Sequence, residues 1–181
     1  MRRFFTYRFA AALCLCTCFA AVRAFAFEPL PAGYGSVRLG MTVEETKAAL
    51  LKEPAFGYRG ERDVSLLPGE NRTLIETSGT LFLAECWFQF DEGTLSVITI
   101  NLNKEQIDYY SVFSTLCEKY GEPGTLSPQK SEWTADGVVM TLERPLTLKY
   151  TDSAVFEKLQ ESATVRQSAV EYTRDLFLKS L

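Results

Sequence analysis

The side chains able to do chemistry are few, and one type is missing. The chain has no histidine, which removes Ser-His-Asp and Cys-His nucleophile pairs, histidine zinc ligands and any imidazole general base. Carboxylate pairs stand at Glu44/Glu45, Asp91/Glu92 and Glu105/Asp108, and paired acids can share proton transfer or hold a hard cation. Each pair also has a structural explanation. The first and third fall where a helix opens, where the helix dipole favours negative charge. The second falls in a hairpin turn and lacks the alternating oxygen ligands of a calcium loop. Serines and threonines have no imidazole to activate them, and no glycine-rich phosphate cradle or Cys-x-x-Cys follows residue 26. No residue is therefore assigned a catalytic, cofactor-binding or metal role, and the chain reads as a non-enzyme that needs no cofactor.

Two further features concern contact. Leu81 to Phe90 alternates with period two, placing Phe82, Ala84, Cys86, Phe88 and Phe90 on one face and Leu83, Glu85, Trp87 and Gln89 on the other. If the first face meets the helices, Leu83 and Trp87 point away, with Leu95 and Val97 beside them on the next strand. These four form a candidate partner-binding face with tryptophan at its centre. The alternative is that the second half or the C-terminal helix covers this face. Cys86 and Cys117 are the two cysteines beyond residue 26. In an oxidising compartment they are candidates for a disulfide worth roughly 3–4 kcal/mol by loop entropy, and the alternative is two buried thiols.

The compartment follows from the N-terminus. Arg2, Arg3 and Arg8 precede an uncharged run from Phe9 to Val22, then Arg23 and Ala24-Phe25-Ala26. That run is short for a membrane span, which takes ~20 apolar residues. Residues 1–26 read as a signal peptide cut between Ala26 and Phe27, giving a periplasmic or cell-surface protein with no stable span after cleavage. An uncleaved anchor is one alternative. A lipid anchor at Cys18, in Leu15-Cys16-Thr17-Cys18, is another, and it fits poorly because Thr17 stands where a small residue is expected and the apolar run continues to Val22. Beyond residue 26 the chain has 15 basic and 23 acidic side chains, a net charge of −8. That balance disfavours nucleic acid and anionic lipid.

The elements that must position these side chains are legible in outline. Met41 to Glu53 reads as a helix with Thr42 as N-cap and Glu45 closing a capping box, stopped by Pro54. Ser36 to Leu39, Phe56 to Leu67 (broken at Gly60) and Arg72 to Glu76 read as strands, and Leu67 to Asn71 as a turn. Leu81 to Phe90 and Thr94 to Leu102 form a hairpin around Asp91-Glu92-Gly93. Glu105 to Tyr120 reads as a second helix, with Asn103 as N-cap and an inward stripe of Ile107, Tyr110, Phe113, Leu116 and Tyr120; Gly121 and Pro123 end it. Strands over Ser131 to Ala135, Gly137 to Glu143 and Leu146 to Tyr150 follow. Asp152 caps a last helical region with Val155, Phe156 and Leu159, then Val165, Ala169, Tyr172 and Leu176. The expected fold is α+β, helices on an antiparallel sheet, arranged as two tandem helix-plus-meander units. The expected boundaries are 27–104, 105–151 and a helical tail at 152–181.

Val37-Arg38-Leu39-Gly40-Met41-Thr42-Val43-Glu44-Glu45-Thr46 resembles the glycine-methionine-serine/threonine helix opening of SmpA/OmlA-like outer-membrane assembly lipoproteins. The tandem helix-and-sheet order resembles the β-lactamase-inhibitor-protein fold, and Lys119-Tyr120-Gly121-Glu122-Pro123 with Trp133 is similar to a pattern in small exported bacterial proteins of that type. The resemblance implies a non-enzymatic envelope module that contacts other proteins through a sheet face. The chain departs from the lipoproteins in having no cysteine at the expected cut. Together these readings give an exported envelope binding or scaffold module, its partner another envelope protein. A periplasmic carrier of a small apolar ligand is the alternative.

Overall fold

The computed structural model describes residues 27–67, 72–158, 160–161, 174 and 178. The leader at 1–26, the turn at 68–71 and the stripe from Val165 to Leu176 lie outside the described residues. A small hairpin, β1 (Gly33–Tyr34) with β2 (Val37–Arg38), leads into helix α1 (Val43–Lys52). Strands β3 (Val64–Leu67), β4 (Arg72–Ser78), β5 (Leu83–Asp91) and β6 (Thr94–Leu102) follow as a meander. Helix α2 (Tyr109–Tyr120) opens the second half, which continues through β7 (Thr125–Leu126), β8 (Lys130–Ala135), β9 (Val138–Glu143) and β10 (Thr147–Asp152). Residues 153–158 form a third helix, α3. The eight longer-range strands make one antiparallel sheet ordered β3-β4-β5-β6-β10-β9-β8-β7. Each half is thus a helix followed by a four-stranded meander, and the halves join where β10 pairs β6 from Thr147↔Asn101 to Thr151↔Val97.

The helices form where the sequence supplies caps. Thr42 Oγ1 accepts the Glu45 N–H at 3.3 Å while Glu45 Oε2 accepts the Thr42 N–H at 2.8 Å, closing the expected capping box. The preceding Gly-Met pair anchors this start to the sheet, because Gly40 N–H donates to Leu95 O and Leu95 N–H to Met41 O, both at 2.8 Å. Thr46, Ala49 and Leu50 turn inward. The second helix starts later than expected. Asn103 caps only a turn through the Glu105 N–H, and the N-cap is Asp108, which accepts the Ser111 N–H at 3.0 Å. The late start leaves Tyr110 74% exposed and turns Val112 and Leu116 inward, with Tyr109 and Phe113 half-buried. At the other end Gly121, with φ +82°, accepts the Trp133 indole N–H at 2.8 Å. That bond is the physical content of the Gly-Glu-Pro and tryptophan spacing.

Both of these helices pack on one face of the sheet. Phe56, Ile75, Cys86, Phe88, Ile98, Ile100, Met140 and Leu142 form the fully buried centre, and Phe56 and Phe88 meet edge-to-face at 5.4 Å. Burying one such aromatic contributes about 1.5–3 kcal/mol. Val138, Met140 and Leu142 point inward as their alternation predicts. The segment before β3 departs from expectation. Instead of a strand from Phe56 broken at Gly60, Pro54–Phe56 and Glu61–Asp63 are single 3-10 turns and strand begins only at Val64, because Gly57 as well as Gly60 takes a left-handed φ, +63° and +88°. The hairpin strand β1 and the edge strand β7 were not legible, each being two residues long.

Candidate functional site

The face of the sheet turned away from α1 and α2 carries alternate residues of the central strands. A cleft of about 600 Å³ opens there across the seam of the two halves. Trp87, Val97, Thr99 and Asn101 line it from the first half, and Thr141, Glu143, Thr147 and Lys149 from the second. Asp152 accepts the Ala154 and Val155 N–H groups at 3.0 and 3.2 Å, starting α3 so that Phe156 and Gln160 form one wall. Lys130 Nζ sits 5.7 Å from the Phe156 ring centre, within reach of cation–π attraction. Trp87 also borders a second hollow of about 310 Å³, shared with Arg59, Asp63, Glu76 and Glu85. Asp63 is buried there, accepting the Arg59 backbone N–H at 2.8 Å and its Nη2 at 2.6 Å.

The four expected contact residues divide. Trp87 and Val97 lie together on the cleft face, whereas Leu83 and Leu95, at 4% and 1% exposure, sit in the core on the helix side. Two β-bulges cause the division. The ladder between β5 and β6 shifts register between Leu83 and Glu85 and again between Gln89 and Phe90, so Ala84 and Ser96 are extra residues that reverse strict alternation. The Ser96 hydroxyl donates to the Gln89 carbonyl at 3.1 Å. At the other bulge Ala84 is exposed, and Phe82 just before it is 54% exposed, although alternation places both inward.

Cys86 and Cys117 are both free thiols, so of the two alternatives the structure has the unbonded pair. Burial pushes the Cys86 thiol up to about 12. Cys117, half-buried on α2, is also raised, first by burial and then by Glu122. Three members of the acidic pairs, Glu44, Glu45 and Asp108, are engaged in local structure. Glu44 pairs with Lys47 at 3.0 Å; the Thr42 N–H holds Glu45 below the usual carboxylate range, and the Ser111 hydroxyl and N–H do the same for Asp108. Among the described residues no group of three or more Cys, Asp or Glu side chains is gathered to hold a metal. Sequence reading passed over one spacing, Ser127-x-x-Lys130. Ser127 Oγ accepts the Gln129 and Lys130 N–H groups at 3.3 and 3.1 Å, and Lys130 Nζ is held by Glu132 at 2.7 Å. This pair builds a turn.

Ion pairs inside the cleft are closed on themselves. Lys149 Nζ lies 3.2 Å from Glu143 Oε1, which also accepts the Thr141 hydroxyl at 3.1 Å. Thr147 Oγ1 donates to Asn101 Oδ1 at 2.7 Å, across the seam. The arrangement offers hydroxyls, amides and two aromatic rings, Trp87 and Phe156, on a hydrogen-bonded sheet, with the lysines of the lining paired to carboxylates.

Among the described residues no helix is long and apolar enough to cross a membrane. The model for the TP0088 domain matches residues 32–162, which takes in both helix-plus-meander halves. No curated protein and no solved structure matches.

Proposed function

The chain belongs to the TP0088 domain family; we propose that it is an exported binding module of the cell envelope, acting by contact and carrying out no reaction. The observation that carries this reading is Trp87, half-buried in the seam cleft on the face opposite α1 and α2, beside the α3 wall and outside the core cluster. Tryptophan is enriched among the residues that anchor binding surfaces. The absence of histidine supports the non-catalytic part, and the basic start, uncharged run and Ala24-Phe25-Ala26 support export. A protein partner was expected from four converging apolar side chains, and two converge. The alternative of a carrier finds a cleft within the usual size range of about 300–1,000 Å³, but hydroxyls, amides and ion pairs in its walls suit a polar occupant better than an apolar one.

Native mass spectrometry of protein purified from its own host tests the reading. An envelope component should remain with the wild-type chain and be lost from Trp87→Ala at unchanged melting temperature. Turnover of any compound, abolished by changing one acid or hydroxyl, would overturn it. N-terminal sequencing of the exported chain should begin at Phe27, and a sequence beginning at Met1 would refute cleavage.

A further inference from the structure

We propose that the seam cleft is a carbohydrate site, taking a neutral oligosaccharide segment of an envelope glycan. The proposal rests on the reading of this sheet face as the working surface and adds the class of occupant.

Three observations carry it. The first is charge. Lys149 is paired with Glu143 at 3.2 Å and Lys130 with Glu132 at 2.7 Å, so the ammonium groups lining the cleft are neutralised from within. A phosphate or carboxylate ligand would have to break these pairs, whereas an uncharged polyhydroxyl ligand can use them as fixed donors and acceptors without displacing a partner. The second is the kind of polar group. Thr99, Thr151 and Gln89 line the cleft, and their side chains make no hydrogen bond among the described residues. Asn101 spends its Oδ1 on Thr147 at 2.7 Å and keeps its amide N–H groups. Hydroxyls and carboxamides both donate and accept, which matches sugar hydroxyls that do the same. The third is the ring. The face of an aromatic carries negative charge density, and the C–H groups on one side of a pyranose are weakly positive, so a sugar stacks on an indole while its hydroxyls reach sideways to the rim. Trp87 on β5 is paired with Thr99 on β6, and Asn101 stands two residues along β6, which itself borders β10 of the second half.

The placement suits a chain more than a single ring. Trp87 borders the 600 Å³ cleft on one side and the 310 Å³ hollow on the other, so a glycan stacked on it would extend along the sheet in both directions. A platform of hydrogen-bonded strands is already ordered, which lowers the entropy lost on binding.

The test is titration of the purified full chain with chitotetraose, cellotetraose and maltotetraose, followed by calorimetry and by tryptophan fluorescence. At least one probe should bind saturably and perturb the fluorescence. Trp87→Ala should weaken it about tenfold or more, the loss expected for an aromatic anchor. Trp87→Phe should retain most of the affinity, Asn101→Ala should lose part of it, and all three should melt with the wild type. Added salt should leave binding unchanged, since no ionic contact is formed. Absence of binding by every probe, binding that survives Trp87→Ala, or steep weakening by salt would each overturn the proposal. If no probe binds while a polypeptide is lost from Trp87→Ala, the glycan site fails and the contact-module reading stands. Cleavage of a probe would overturn the contact-module reading.

Discussion

Trp133 donates its indole N–H to the Gly121 carbonyl from inside the core, while Trp87 leaves the core and faces the cleft. Trp133→Phe should therefore cost about 1–3 kcal/mol in urea unfolding, the penalty for a buried carbonyl left without its donor. Trp87→Phe should stay within about 0.5 kcal/mol of wild type. The thiols make a second prediction. With Cys86 fully buried and pushed up to about 12, alkylation of the folded chain near neutral pH should spare Cys86 and modify it only after unfolding, as mass spectrometry of the peptides would show. The placement of Trp87 on the face away from the core was legible from period-two alternation. Those of Leu83 and Leu95 were not, because a bulge changes which face a residue serves without leaving a local mark in side-chain type.

The ends of the elements set the next scale. The start of α1 was legible because Thr42 and Glu45 satisfy each other's backbone partners by their own chemistry. The start of α2 was missed because Asn103, Glu105 and Asp108 compete within six residues, and only tertiary packing selects Asp108. Both caps rest on carboxylates held below their ordinary range. A group whose native pKa lies below its unfolded value stabilises the fold above the unfolded value and loses that contribution as pH falls toward the native one. With no histidine to titrate, the urea midpoint should be level from neutral pH down to about 5 and then fall below about 4. Asp108→Asn, which keeps the cap without its titration, should shrink that fall. The β5–β6 turn offers a gain. Glu92 and Gly93 both have positive φ, +50° and +80°, the geometry of a two-residue hairpin that prefers Asn-Gly. Glu92→Asn should raise stability by roughly 0.5–1 kcal/mol in the same unfolding assay.

At the scale of the molecule, the two halves share one sheet and one core. The five paired positions from β6 to β10 make the join continuous, so the halves should unfold together. The chain holds two tryptophans, Trp87 in the first half and Trp133 in the second. Fluorescence of Trp87→Phe and far-ultraviolet dichroism of the same variant should give coincident urea transitions, reporting the second half and the whole at once. The order of helix, strands, helix, strands was legible, and the meeting of β6 with β10 was not, since pairing between strands so far apart leaves no trace in short-range pattern. That meeting divides labour in a way that reaches beyond one chain. Along the central strands between the bulges, alternate side chains maintain the scaffold and their neighbours line the cleft. Lineages can thus revise what the surface recognises, one outward position at a time, without renegotiating the interior that keeps the strands aligned.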